Sequence, residues 1–258
     1  MKRILTALAL IPIVAWVVLG ATYWIFFGVV AIVACLCWHE YNEIAGSYGY
    51  GKPGVVGLVA GLALLVAGPN LQWLIVVAVA LIALAIVMRD ENLGHALPRA
   101  ALLALGVVYI FGTWKCALPI REEFGSRHWL MYGLLLNWVG DTGAYFIGRP
   151  FGKHKLAPIV SPNKSWEGSA ASVVASVVAA GAYLMYFVPS VPVTHAVVLT
   201  AVANIAGQIG DLAESAIKRG ANVKDSGTIL PGHGGFLDRV DSTLFALPVI
   251  YAYLKLVG

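Results

Sequence analysis

Charge is scarce in this chain. Only 12% of its 258 residues are Asp, Glu, Lys or Arg, against about a quarter in an ordinary soluble domain. With 60% hydrophobic residues and a mean hydropathy of +0.82, a water-soluble globule would have nowhere to place its apolar surface. Cysteine is equally thin: Cys35, Cys37 and Cys116 lie in or near apolar runs without CxxC spacing. They exclude a disulfide framework and a thiolate zinc site, and read as packing residues. No A-x-A-like cleavage site follows Lys2-Arg3 and the apolar run Ile4–Gly20, so that run is kept as a membrane span. No long soluble segment, low-complexity tract or convincing repeat interrupts the chain. A net charge of +4 is too small to indicate nucleic acid, and none is expected as a partner.

What remains is a succession of apolar runs. A helix needs about 20 apolar residues to cross a bilayer. On that basis spans are expected at 4–20, 21–38, 54–69, 71–88, 99–119, 129–148, 168–188, 194–217 and 236–256. The fold class is an all-α polytopic transmembrane bundle of about nine spans. The first four runs are short or poorly separated, with Gly20 and Gly68-Pro69-Asn70 as the breaks that divide them. Gly57 and Gly61 form a GxxxG pair, which permits close helix approach within the monomer or at a dimer seam.

Nine spans place Lys2, Arg3, Lys52, Arg89, Arg99 and every basic residue from Arg149 to Arg239 on one side. Only Arg121, Arg127 and Lys255 fall on the other, with Lys115 inside the fifth span. The positive-inside rule then makes the N-terminus cytoplasmic and puts loops 149–167 and 218–235 on the cytoplasmic face. Compact loops and the lack of a long N-terminal extension favour a bacterial plasma (inner) membrane over an organelle. Residues 1–120 are expected to be a scaffold with possible dimer contacts, and 121–258 the catalytic region.

Three spans carry polar stripes. Asn137, Asp141 and Tyr145 recur every four residues in the sixth. Asn204, Gln208, Asp211, Ser215 and Lys218 form a stripe in the eighth, with Glu214 beside it. Asp238, Asp241 and Ser242 are expected to share a face at the start of the ninth. A charge at the bilayer centre costs ~2.5–3.5 kcal/mol on insertion scales, so these faces should line one polar cavity. Structural ion pairs with Lys218, Arg219 and Arg239 are the competing reading for the carboxylates. Ordinary interhelical hydrogen bonding is the competing reading for Asn137, Asn204 and Gln208. Carboxylates without a histidine or cysteine cluster suit a hard cation such as magnesium, which takes a few carboxylates and substrate phosphates. Ser161-Pro162-Asn163-Lys164-Ser165-Trp166-Glu167-Gly168 runs directly into the seventh span, where helix N–H groups favour a phosphate. A cytoplasmic loop makes the Asn163-Lys164-Ser165 sequon a false positive.

The densest chemistry lies in SAIKRGANVKDSGTILPGHGGFLDRVD, Ser215 to Asp241. Lys218, Arg219, Lys224, Asp225, His233, Asp238, Arg239 and Asp241 crowd between two apolar runs. The glycines around His233 allow close approach of backbone to a phosphate, or simply shape a loop. This stretch resembles the signature of the CDP-diacylglycerol synthase (phosphatidate cytidylyltransferase) family without departure at its fixed positions. The Ser-Pro-x-Lys-Ser-x-Glu-Gly element and Gly140-Asp141-Thr142 resemble it too. The match covers roughly the C-terminal half.

The resemblance implies a helical membrane fold that can dimerise, and a reaction in which CTP and phosphatidate give CDP-diacylglycerol and pyrophosphate. Magnesium, and often potassium, would assist. Asp211 and Asp238 would hold the metal, with Asp241 as a further carboxylate. Lys218, Arg219, Lys224 and Arg239 would neutralise both substrates, and Asp225 and His233 would complete the catalytic set. Ser161, Lys164 and Ser165 would bind phosphate, and Asp141 would orient the cavity or ligate a cation. The rival readings are a transporter or channel, a related membrane nucleotidyl- or phosphotransferase, and a purely structural membrane protein.

Overall fold

A computed structural model describes residues 2–88, 92–229 and 234–257, with side chains described from residue 11 onward. His233 and Arg89 therefore lie outside the described residues. The architecture is helical: α1 Lys2–Leu19, α2 Tyr23–Ser47, α3 Gly54–Val66, α4 Pro69–Val87 and α5 Ala96–Gly106 come first. After α5, a π-helical stretch Val107–Gly112 leads into α6 Thr113–Glu122. The remaining helices are α7 His128–Phe151, α8 Trp166–Phe187, α9 Val193–Gly220 and α10 Asp241–Val257. Each of the expected apolar runs falls on a helix. Five helical stretches are long and apolar enough to cross a membrane: Tyr23–Ser47, Pro69–Val87, Leu93–Glu122, Trp166–Phe187 and Val193–Gly220.

Three features depart from the sequence reading. An antiparallel ribbon, β1 Lys155–Ala157 with β2 Ser161–Ser165, is inserted between α7 and α8. Helix α2 runs on from residue 38, the expected end of its span, to Ser47. Residues 39–45 contain no helix breaker, and the backbone leaves the helix only near Gly49, at φ 82°. The last helix begins at Asp241, preceded by a 3-10 turn over Leu237–Arg239. Asp238 is thus off the helix and does not share a helical face with Asp241 and Ser242, because its carboxylate is drawn into the preceding loop, as described below.

The chain forms two compact units, each drawn from separated segments. The first comprises 1–26, 116–216 and 240–258. In it α7 packs along α8, with α10 and α1 also against α7. Small residues allow the approach: a Cβ at Gly140 would collide with Asn204, Ser172 and Ser176. The buried Arg121 guanidinium donates to the carbonyls of Val18 and Ala21, closing the end of α1, and lies 4.5 Å from the centre of the Phe26 ring.

The second unit comprises 27–115 and 217–239. Gly57 and Gly61 face Trp38 and Phe111, whose rings occupy the space a Cβ would take. The GxxxG pair therefore serves packing inside this unit. Lys115 donates to the carbonyls of Leu65 and Ala67 at 2.6 and 2.8 Å, satisfying the C-terminal end of α3.

Candidate active site

Within the first unit, α7, α8, α9, α10 and the β-ribbon enclose a cavity of about 550 Å³. Its inner part is a polar seam. Ser169 donates to Gln208, whose amide donates to Asn204 Oδ1 at 2.7 Å. Asn204 in turn donates to Ser176 at 2.9 Å, and Ser176 donates to the Leu136 carbonyl at 2.7 Å. Asn137 donates to the Gly133 carbonyl and to Thr243. These amides are occupied by one another, by hydroxyls and by backbone, so they knit α7, α8, α9 and α10 together where an unmade hydrogen bond would be costly.

The remainder of the lining carries charge. Arg149 from α7, Lys155 from β1 and Lys164 from β2 supply cations; Asp141 and Asp211 supply carboxylates. Lys164 and Asp211 form an ion pair at 2.5 Å. Asp241 is buried at the start of α10 and lies within electrostatic range of Asp211, Glu214 and Asp141. Its Oδ1 accepts the Ser242 N–H at 2.6 Å. Ser165 is buried as the N-cap of α8 and accepts the Gly168 N–H at 3.2 Å, while Ser161 pairs with Ala157 in the ribbon. Lys164, which follows from the same short element, points its ammonium at Asp211 and the cavity.

Within the second unit, the loop after α9 folds around two carboxylates. Asp238 binds Lys218 and accepts the N–H groups of Ser226 at 3.1 Å and Gly235 at 2.9 Å. Burial pushes the Asp238 carboxyl up, but the Lys218 ammonium and these N–H groups outweigh it and hold it below the usual carboxylate value. Arg219 donates to the Val223 carbonyl, and Lys224, Asp225 and Arg239 are exposed.

The second carboxylate is Glu40 of α2, 1% exposed, which the sequence reading passed over. It accepts the Ser226 hydroxyl at 2.9 Å, the Phe236 N–H at 2.8 Å and the Leu237 N–H at 2.7 Å. A signal was present: Glu40 stands two residues past an apolar run that ends at Trp38, where a charged residue needs a partner. Tyr48 adds a hydrogen bond to the Ile217 carbonyl at 2.7 Å. Arg149 and Lys155 were also missed as cavity residues, having counted only toward loop charge.

Among the described residues, no three His, Cys, Asp or Glu side chains form a ready cage for a metal. Asp211 and Asp241, with Asp141 and Glu214 near the buried Asp241, are hard oxygen donors. They fit a magnesium ion, which binds through one or two carboxylates and completes its shell with water and substrate phosphate.

Residues 1–257 match the model of the cytidylyltransferase family. Over 156 residues the chain is 41% identical to a phosphatidate cytidylyltransferase of Bacillus subtilis (strain 168), spanning 60% of this chain and 58% of that protein. It is 35% identical to a phosphatidate cytidylyltransferase of Staphylococcus aureus (strain COL) over 234 residues, 90% of this chain and 89% of that protein. A Staphylococcus haemolyticus (strain JCSC1435) protein of the same name is 36% identical over 187 residues, 70% of this chain and 68% of that protein.

Replacing Glu40 by Ala strips three buried donors of their acceptor, at about 1–3 kcal/mol each. Hydrogen–deuterium exchange across 224–239 is expected to accelerate at least tenfold, with peptides from α4 unchanged. Glu40→Gln, which keeps one acceptor oxygen, should fall between. Unchanged exchange in Glu40→Ala would show that the loop is held by other contacts.

Proposed function

The chain belongs to the cytidylyltransferase family, and from that premise we propose that it transfers CMP from CTP to phosphatidate, giving CDP-diacylglycerol and pyrophosphate. The observation that carries this reading is the cavity that α7, α10 and the ribbon line together with two membrane-length helices, α8 and α9. It gathers Arg149, Lys155 and Lys164 with Asp141 and Asp211, beside the buried Asp241. Phosphate-rich substrates require such a mixture, and an acyl-bearing substrate requires it at the edge of the hydrocarbon.

A phosphatidate oxygen attacks the α-phosphorus of CTP and pyrophosphate leaves in line. The attacking phosphate is already ionised near neutral pH, so no strong general base is needed. Catalysis then rests on positioning and charge neutralisation. Lys164 is released from Asp211 as phosphate enters, and Lys155 and Arg149 offer further donors on the same wall. For the signature loop, the resemblance implies Lys218, Arg219, Lys224, Asp225, His233 and Arg239 as catalytic residues. Asp238 fixes Lys218 by its ion pair. Asp211 and Asp241 would hold a magnesium ion; the resemblance implies Asp238 as a ligand as well, and that carboxylate is paired with Lys218. When bound, that ion neutralises charge on the phosphates. Ser165 shapes the start of α8, so that Lys164 is delivered to the cavity.

The protein is a multi-pass membrane protein, and we assign it nine spans with the N-terminus in the cytoplasm of a bacterial inner membrane. The asymmetry of Lys and Arg supports this orientation, and the bacterial relatives support the choice of a bacterial membrane.

Three variants test these assignments. In purified protein with phosphatidate vesicles, Asp211→Asn should lower CTP-dependent turnover by ~10²-fold, about 2.7 kcal/mol in barrier, and alter its magnesium dependence. Lys164→Ala should mainly raise the KM for CTP. Wild-type rates across magnesium concentrations in Asp211→Asn would remove the cation role. For orientation, Thr228→Cys should react with an impermeant thiol reagent only from the cytoplasmic side, and labelling from outside would invert the topology.

A further inference from the structure

The ribbon between α7 and α8 ends in an apolar tip. Its turn is Pro158, Ile159 and Val160, with no polar side chain, and Ile159 is 90% exposed. Turns that face water are usually made from Gly, Pro, Asn, Asp or Ser, so Pro158 suits the bend, whereas Ile159 and Val160 do not suit the solvent. Two large rings flank the hairpin on the surface: Phe151 is 62% exposed before it and Trp166 is 61% exposed after it. Lys153 and Lys155 lie on the same segment and are exposed.

The position of this tip relative to the bilayer follows from the chain itself. Ser165 is both the last residue of β2 and the N-cap of α8, and α8 is long and apolar enough to cross a membrane. The ribbon is therefore tethered where the hydrocarbon ends. At that level, aromatic rings sit among the headgroups and lysines attract anionic lipid. Lys155 and Leu156 of the same ribbon also line the cavity.

We propose that this hairpin is an interfacial anchor that inserts Ile159 at the boundary of headgroups and acyl chains. Phe151 and Trp166 lie beside it, and Lys153 and Lys155 hold anionic phospholipid headgroups at the cavity wall. The inference rests on the membrane reading above, and goes beyond it by naming the element that recruits charged lipid. An apolar tip buried in the interface no longer faces water, and a lysine shared between the interface and the cavity gives an anionic lipid a short lateral path inward.

The test is made on the full-length protein with Cys35, Cys37 and Cys116 replaced, carrying a nitroxide at Ile159→Cys. It is reconstituted in phosphatidylcholine vesicles with or without phosphatidylglycerol. With phosphatidylglycerol present, the label should collide with oxygen at least threefold more often, relative to a water-soluble nickel chelate, than a label at Thr228→Cys. Lys153→Gln with Lys155→Gln, or omission of phosphatidylglycerol, should reduce that ratio at least twofold. An Ile159 label as open to the nickel chelate as the Thr228 label would overturn the anchor. Insertion that ignores both lysines and anionic lipid would overturn the headgroup contact. In addition, Ile159→Ser should raise the KM for vesicle-borne phosphatidate about fivefold, leaving turnover of a short-chain phosphatidate in detergent unchanged. The collision measurement needs no catalysis, so an inactive enzyme and an uninserted hairpin are separate results.

Discussion

A carboxylate placed where water is scarce must find donors within the protein, and most of the chemistry here is arranged around that need. Glu40 is buried at the polar end of α2 and gathers a hydroxyl and two N–H groups from the loop after α9. Asp238 draws Lys218 and two further N–H groups of the same loop. A segment rich in glycine and charge has little apolar surface with which to fold, and these two carboxylates take the place of a core. The loop's shape is thus electrostatic in origin. Either acid, once removed, leaves several buried donors without an acceptor.

The same logic divides the polar stripe of the first unit by depth. Gln208, Asn204, Ser176 and Ser169 satisfy one another, so they serve helix packing. Asp211 lies one turn further along α9 and is paired with Lys164 at 2.5 Å, an exchangeable partner. A phosphate entering the cavity can take the lysine, and a divalent cation can take the aspartate. The stripe therefore passes from fixed to exchangeable contacts as it approaches the ribbon.

Much of this was legible in the sequence. Apolar runs located the helices because lipid-facing segments must satisfy their backbone internally. The spacing of Asn204, Gln208 and Asp211 placed them on one face, and the stretch from Ser215 to Asp241 identified the family. Other features were hidden. Glu40 binds groups 186 to 197 positions away, a separation no local pattern reports. The ribbon lacks polar–apolar alternation, since Pro, Asn, Lys and Ser fill β2. The start of α10 was misjudged because hydropathy begins at Phe236, whereas the hydrogen bonds of Asp238 hold the backbone out of the helix until Asp241.

The central claim is displacement at the α-phosphorus of CTP by a phosphatidate oxygen. It is tested most directly with CTP carrying one label on the α-phosphorus and a different label on the γ-phosphorus. The purified protein is supplied with phosphatidate vesicles and magnesium. The account predicts that the α-label appears in lipid and the γ-label in pyrophosphate, in equal molar amounts. Transfer of the γ-label to lipid, or α-labelled CMP released without lipid product, would contradict it.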